Sequence, residues 1–272
     1  MAKKLSPRSA VLIPVRLPFV NIGKSLDEVV KSALNRVDVR LEEGDVVAVA
    51  SKVVSTCEGR IRKLDEVEVT ATARRIARKW KLDPKLAAIV RGESIEILGG
   101  VKGFLLTIRD GILTANAGVD LKNCPPGHAM LLPRNADASA RELRRSLETH
   151  YGVRLAVIIV DSRVTPMRLG TVGLAIGISG FNPVRDFRGT SDLYGRKVKV
   201  TRINVADDLA SATHLLMGES EERISLVIAR RTRVNLNGLN GSRRVRLKAS
   251  SCLIANNLTG NHYRPHTPPP RR

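Results

Sequence analysis

Aromatic side chains are scarce, at 3% of 272 residues, so the core must be aliphatic and platforms for stacking unpaired bases are few. Long hydrophobic runs are missing as well. The longest apolar stretches have strand length, well short of the ~18 residues of a membrane helix, and Met1-Ala2-Lys3-Lys4 is not followed by the apolar run of a secretory signal. A cytoplasmic protein is expected. Cysteine is limited to Cys57, Cys124 and Cys252, odd in number, far apart and without histidines at zinc-site spacing. That pattern gives neither a disulfide framework nor a zinc site. Walker phosphate loops, Rossmann glycine fingerprints, kinase motifs and zincin motifs are all lacking. The histidines His128, His150, His214, His262 and His266 stand in no recognisable catalytic context and read as structural or surface residues.

What is abundant is positive charge. The net charge is +20, and the segment from Arg230 to Arg272 contains ten Lys or Arg and no Asp or Glu, hence half of the excess. A basic tail binds polyanions without specificity, and a nucleic-acid-binding protein is the alternative from another class that this charge raises. The rest of the chain is still basic, as suits phosphate-bearing ligands. With 43% hydrophobic residues the chain is long enough for two domains or one large one. It divides into a basic extension over 1–10, a body over 11–234, and a basic region over 235–272 that ends in a disordered Pro/Arg stretch.

Within the body, Val11 to Arg16 predict a strand. A helix follows, with Ser25 and Glu28 as capping box and Leu26, Val29, Val30, Ala33 and Val37 at helical spacing. Val46 to Ala50 form a buried strand whose exit carries Ser51, Lys52, Ser55 and Thr56. Such residues suit phosphate binding, and by themselves are more often a solvated turn. Thr70 to Trp80 and Pro84 to Arg91 predict helices, the second capped by Asp83. Phe104 to Ile108 and Ile112 to Thr114 flank Asp110-Gly111 as a hairpin. Beyond it Asn116, Asp120 and Asn123 gather oxygens around Gly118, in metal, phosphate or simple turn chemistry.

Asp137 or Ser139 can start a helix that runs to His150. The apolar run Leu155 to Val160 then delivers Asp161 and Ser162 at a strand end. Gly173 to Gly180 predict a glycine-rich strand open to close approach by a ligand or another strand. Arg185 to Arg196 read as a substrate-facing loop, Val198 and Val200 as a half-exposed strand, Ala206 to Met217 as a helix stopped by Gly218, and Ser225 to Ala229 as the last strand. Three acids, Asp120, Asp161 and Glu219, end regular elements. Carboxylates of this kind hold magnesium or manganese when nucleotide phosphates complete the shell.

Taken in order, Glu58-Gly59-Arg60, Asn116-Ala117-Gly118-Val119-Asp120, Asp161-Ser162, Ala175 to Gly180, Asp192-Leu193-Tyr194-Gly195-Arg196, Val205-Ala206-Asp207-Asp208 and Leu216-Met217-Gly218-Glu219 resemble the archaeal coenzyme F-420-0:L-glutamate ligase family. The resemblance spans about residues 11 to 229. It implies an enzyme of unusual fold acting as an intertwined homodimer; the chain reads as mixed α/β (α+β) and two-lobed, with lobes discontinuous in sequence because the candidate ligands come from early, middle and late segments. The implied reaction is GTP-dependent ligation of L-glutamate to the lactyl carboxylate of a deazaflavin precursor through an acyl phosphate, with Mn or Mg and help from potassium. The resemblance places Asp120, Asp161, Ser162 and Glu219 at metal-ligand positions, with Asp120, Asp161 and Glu219 catalytic. Nucleotide contacts would fall to Leu17, Pro18, Phe19, Val20, Ser51, Lys52, Thr56, Asn123, Met217, Gly218, Glu219, Ser220, Glu221, Glu222, Arg223 and Ile224. Two departures stand out: Thr56 replaces a frequent lysine, and Val164-Thr165-Pro166-Met167 replace a Gly-Arg-Pro-Trp type run. A related ligase with a changed acceptor or nucleotide is therefore the nearest alternative.

Overall fold

The structure is a computed structural model that describes residues 9–232 and 234–259; most of the basic N-terminal extension and the whole Pro/Arg end lie outside the described residues. The fold is mixed α/β, and the chain separates into two compact units. One holds the described residues up to Glu66 together with Asp120–Val245. The other holds Val67–Val119 and the described residues from Arg246 onward.

The chain opens with β1 (Val11–Val15), α1 (Leu26–Arg36) and β2 (Val46–Ala50). Ser25 stands at the N-cap of α1, but its hydroxyl turns to Asp27 and caps no backbone N–H, so the expected capping box does not form. The strand exit, polar enough for a turn, is a helix, α2 (Ser51–Cys57), which starts directly after β2 and buries Ser51 and Ser55. β3 (Ile61–Lys63) follows.

In the second unit, α3 (Ala71–Trp80) is capped by the Thr70 hydroxyl and α4 (Pro84–Glu93) by the Asp83 carboxylate. Next come β4 (Glu96–Val101), β5 (Phe104–Arg109) and β6 (Ile112–Ala115), a three-stranded antiparallel sheet. Asp110 and Gly111 take φ of 49° and 73° in its turn, as a tight hairpin requires. β4 escapes a reading by periodicity because Gly99 and Gly100 interrupt it.

Back in the first unit, β7 (His128–Met130) pairs with β3 and leads to α5 (Ala136–Tyr151). Its cap is Asn135, which accepts from Ala138 N at 3.0 Å. Asp137 instead ties α5 to distant backbone, where its Oδ1 accepts from Ile178 N at 3.0 Å and from Ser242 N at 2.8 Å. β8 (Ala156–Val164) and β9 (Thr171–Phe181) form a long antiparallel pair, and β10 (Val184–Asp186) pairs with β11 (Arg202–Asn204). Val198 and Val200 are not in a strand; the partner of β10 lies a few residues later. α6 (Val205–Met217), β12 (Leu226–Arg230), β13 (Leu236–Asn240) and α7 (Leu253–Thr259) complete the described chain. β13 and α7 lie in the region whose sequence signals only basic charge.

The main sheet has the order β1-β12-β2-β8-β9-β13, with β2 and β8 parallel and the other pairs antiparallel. Val46, Ala48, Ala156, Ile158 and Val227 meet Ala206, Ala210 and Met217 of α6 in its core. Each fully buried Val or Ile side chain contributes ~1.5–3 kcal/mol, and each alanine methyl less. Of the β9 glycines, Gly180 does admit another strand, since a Cβ there would lie 2.7 Å from the Leu155 carbonyl oxygen and 3.1 Å from Ala156 Cα at the start of β8, whereas two others admit helices. A Cβ on Gly173 would lie 2.3 Å from the Ala210 carbonyl oxygen, and one on Gly177 would lie 2.3 Å from that of Ala136. Their absent side chains let α6 and α5 approach the sheet. Between these glycines the pairing shifts from Ile159↔Gly177 to Val160↔Ala175, leaving Ile176 as a bulge.

Candidate active site

β8 is buried from Ala156 to Val160 and turns polar at Asp161 and Ser162. Side chains alternate along a strand, so these neighbours face opposite ways. Two groups of residues result.

On the first face the Ser51 hydroxyl donates to Asp161 Oδ1 at 2.7 Å. Beside it Lys52 Nζ lies 2.5 Å from Asp120 Oδ2, and Lys122 N donates to Asp120 Oδ1 at 2.9 Å. The backbone of Asp120 exchanges hydrogen bonds with Met130 at 3.0 and 2.8 Å, which anchors it to the end of β7. α2 thus presents two consecutive residues to two acids. Their electrostatics differ. Burial pushes the Asp161 carboxyl above the usual carboxylate range against the Ser51 hydrogen bond and the Lys52 charge, and the charge of Asp120 raises it further. Burial also raises Asp120, but the Lys52 ion pair and the Lys122 amide outweigh it and hold that carboxyl below its usual range. Asp161 is the acid with most to gain from a nearby cation.

On the second face Glu219 follows the stop of α6. Its Oε1 accepts from Thr171 Oγ1 at 2.9 Å and from His214 Nε2 at 2.9 Å, and Ser162 lies near enough to favour its charged form. Burial raises this carboxyl, and the hydrogen bonds from Thr171 and His214, with the nearby His214 ring and Ser162 hydroxyl, outweigh burial to leave it lowered. His214 and Thr171 are absent from the set named by the sequence. The signal that could have found His214 is its spacing to Glu219 across the Gly218 stop; Thr171 has no sequence signal.

The structure therefore brings Asp120 to Asp161, and Ser162 to Glu219, at one end of β8. Among the described residues no three His, Cys, Asp or Glu side chains converge as a finished metal cage. The donors on both faces are carboxylate and hydroxyl oxygens, which fit a hard divalent cation whose shell is completed from outside the protein.

The segments expected to touch nucleotide adjoin this end of the sheet. Leu17 N donates to the Arg223 carbonyl at 2.9 Å, Ala50 N to that of Ser225 at 2.9 Å, and Asn123 Nδ2 reaches the Ser220 carbonyl at 3.4 Å. Leu17 and Met217 are buried in the core, whereas Phe19 is largely exposed. The Thr56 hydroxyl is engaged by the Lys52 carbonyl at 2.8 Å. Gly218 has φ of 71° and ψ of −175°, a backbone region that essentially only glycine adopts. Glu222 Oε2 accepts from Ser220 N at 2.8 Å and shapes this turn. Asn116, in the other unit, is buried with its Oδ1 accepting from Leu105 N at 2.8 Å, a structural role.

Residues 14–231 match the family described as F420-0:Gamma-glutamyl ligase. The chain belongs to this family. Similar F420 ligases are the coenzyme F420:L-glutamate ligase of Methanopyrus kandleri, 44% identical over 76% of this chain and 82% of that protein, and that of Methanothermobacter thermautotrophicus, 40% identical over 79% and 85%. The namesake from Archaeoglobus fulgidus is 39% identical over 79% of this chain and 84% of that protein. The F420 ligase match runs from β1 to just past β12 and so contains both faces of the β8 site. Among the described residues no helix is long and apolar enough to cross a membrane.

Proposed function

We propose that this protein joins L-glutamate to the lactyl carboxylate of coenzyme F-420-0 with GTP as phosphoryl donor. The observation that carries this reading is the family match over a body in which Asp120, Asp161, Ser162 and Glu219 gather at one strand end. A carboxylate does not react with an amine until an oxygen is made a leaving group. Attack of the acceptor carboxylate oxygen on the γ-phosphorus breaks the bond to the β-phosphate oxygen and gives an acyl phosphate and GDP. The glutamate amine then attacks the acyl carbon, the amide forms, phosphate leaves and the amine loses a proton.

The chain's own residues divide this work. Asp120, Asp161, Ser162 and Glu219 would hold manganese or magnesium, which when bound offsets the repulsion between triphosphate and carboxylate. Lys52 supplies a fixed positive charge beside them, and Asn123 with the 217–224 turn steadies the nucleotide. A potassium ion is part of the same proposal, as is action in the cytoplasm as a homodimer. The fully exposed Met167, Leu169 and Leu193 and the largely exposed Tyr194 offer apolar surface for such a dimer.

A coupling experiment tests the nucleotide half. GDP and phosphate should accumulate from GTP only when glutamate and the F-420-0 acceptor are both present with manganese. GTP consumption indifferent to the acceptor would contradict the proposal.

A further inference from the structure

We infer that His214 and Thr171 are positioning residues that fix Glu219 by one oxygen and leave its other oxygen for a bound cation, an inference that rests on the metal-dependent reading above. Glu219 follows Gly218, a residue in a conformation with φ of 71°, and its carboxylate is nearly half exposed. A glutamate in such a turn has free rotamers. Here it has none to spare, because Oε1 accepts from both Thr171 Oγ1 and His214 Nε2 at 2.9 Å each. Two donors occupy the two lone pairs of one carboxylate oxygen.

The fold explains why these donors arrive together. Gly218 N donates to the His214 carbonyl at 3.2 Å, closing the last turn of α6, so His214 is locked to the helix end. The His214 Cβ lies 2.8 Å from where a Cβ on Gly173 would stand. The missing side chain of Gly173 thus lets α6 seat the imidazole beside β9. Thr171 enters from the first residue of that same strand. Partners of this kind orient a metal-binding carboxylate, and losing one typically weakens metal affinity ~10–100-fold.

The test is Mn²⁺ binding to the intact protein, read by the loss of the free-ion electron paramagnetic resonance signal, with circular dichroism to confirm folding. Wild type should bind, Glu219→Gln should bind more weakly, His214→Ala should weaken binding at least ~10-fold and His214→Gln, which keeps a donor, should recover most of it. Thr171→Val should fall between them. If Glu219→Gln weakens binding while folded His214→Ala and Thr171→Val bind as wild type does, the positioning role is wrong. If wild type binds no Mn²⁺, or Glu219→Gln binds unchanged, the metal reading beneath it fails and the inference falls with it.

Discussion

At the scale of single residues, Asp161 bears the sharpest demand. It is half-buried at a strand end, desolvation there raises its carboxyl, and the Ser51 hydroxyl donates to it. Because the folded protein disfavours its charge, ionised Asp161 costs stability near neutral pH, and that cost shrinks as pH falls through its raised range. Asp161→Asn keeps shape and removes the charge. The midpoint of urea unfolding at pH 7 should not fall, while Mn²⁺ affinity and ligation should drop at least ~10-fold. Turnover equal to wild type would show that Asp161 holds nothing the reaction needs. Asp161 and Ser162 are legible in the sequence because an apolar run ends on them. That they face opposite sides, and so head two groups, follows from strand alternation once the strand is seen to continue to Val164.

At the scale of elements, much of the first unit is legible because its strands are unbroken aliphatic runs and its helices carry strong stops. β2, β8, β12 and α6 are cases where composition leaves few choices. The departures have local causes. Ser51 to Thr56 are polar enough for a turn, yet Val53 and Val54 give α2 a buried side. Asp137 has the chemistry of a cap but is drawn off by the Ile178 and Ser242 amides, and Asn135 takes the role. Gly173 and Gly177 are points of close approach, as their spacing suggests, but it is helices that approach there. This gives a paired test. Gly177→Ala forces a Cβ against the Ala136 carbonyl and should destabilise by ~1–3 kcal/mol or more, whereas Gly92→Ala in α4 meets nothing within 4 Å and should stabilise by up to ~1 kcal/mol. Equal midpoints of urea unfolding for the two would contradict this account of helix–sheet packing.

At the scale of the whole molecule, the basic C-terminal region is more than charge. β13 pairs with β9 at Leu236↔Phe181 and Asn240↔Ser179, and Ser242 donates N–H and hydroxyl to Asp137. Arg230 itself makes two hydrogen bonds to buried Asp45, at 2.9 and 2.8 Å. None of these long-range partners can be read from a sequence dominated locally by glycine, asparagine and arginine. Deleting residues 231–272 should therefore lower the unfolding midpoint sharply. Deleting 260–272 should leave ligation intact while removing three arginines and weakening heparin retention. Loss of ligation in the shorter deletion would show that the end of the chain is part of the enzyme. The same scale separates the two classes of function, since a specific nucleic-acid binder would keep sequence-selective binding without that charge.

The central claim is that the two faces of one strand end serve glutamate ligation. Incubating the full chain with coenzyme F-420-0, L-glutamate, GTP and manganese and weighing the coenzyme by mass spectrometry tests it most directly. The account predicts a gain of at least one glutamyl unit that requires GTP and is abolished by chelation of the metal. An unchanged coenzyme mass in the presence of folded, manganese-bound protein would contradict it.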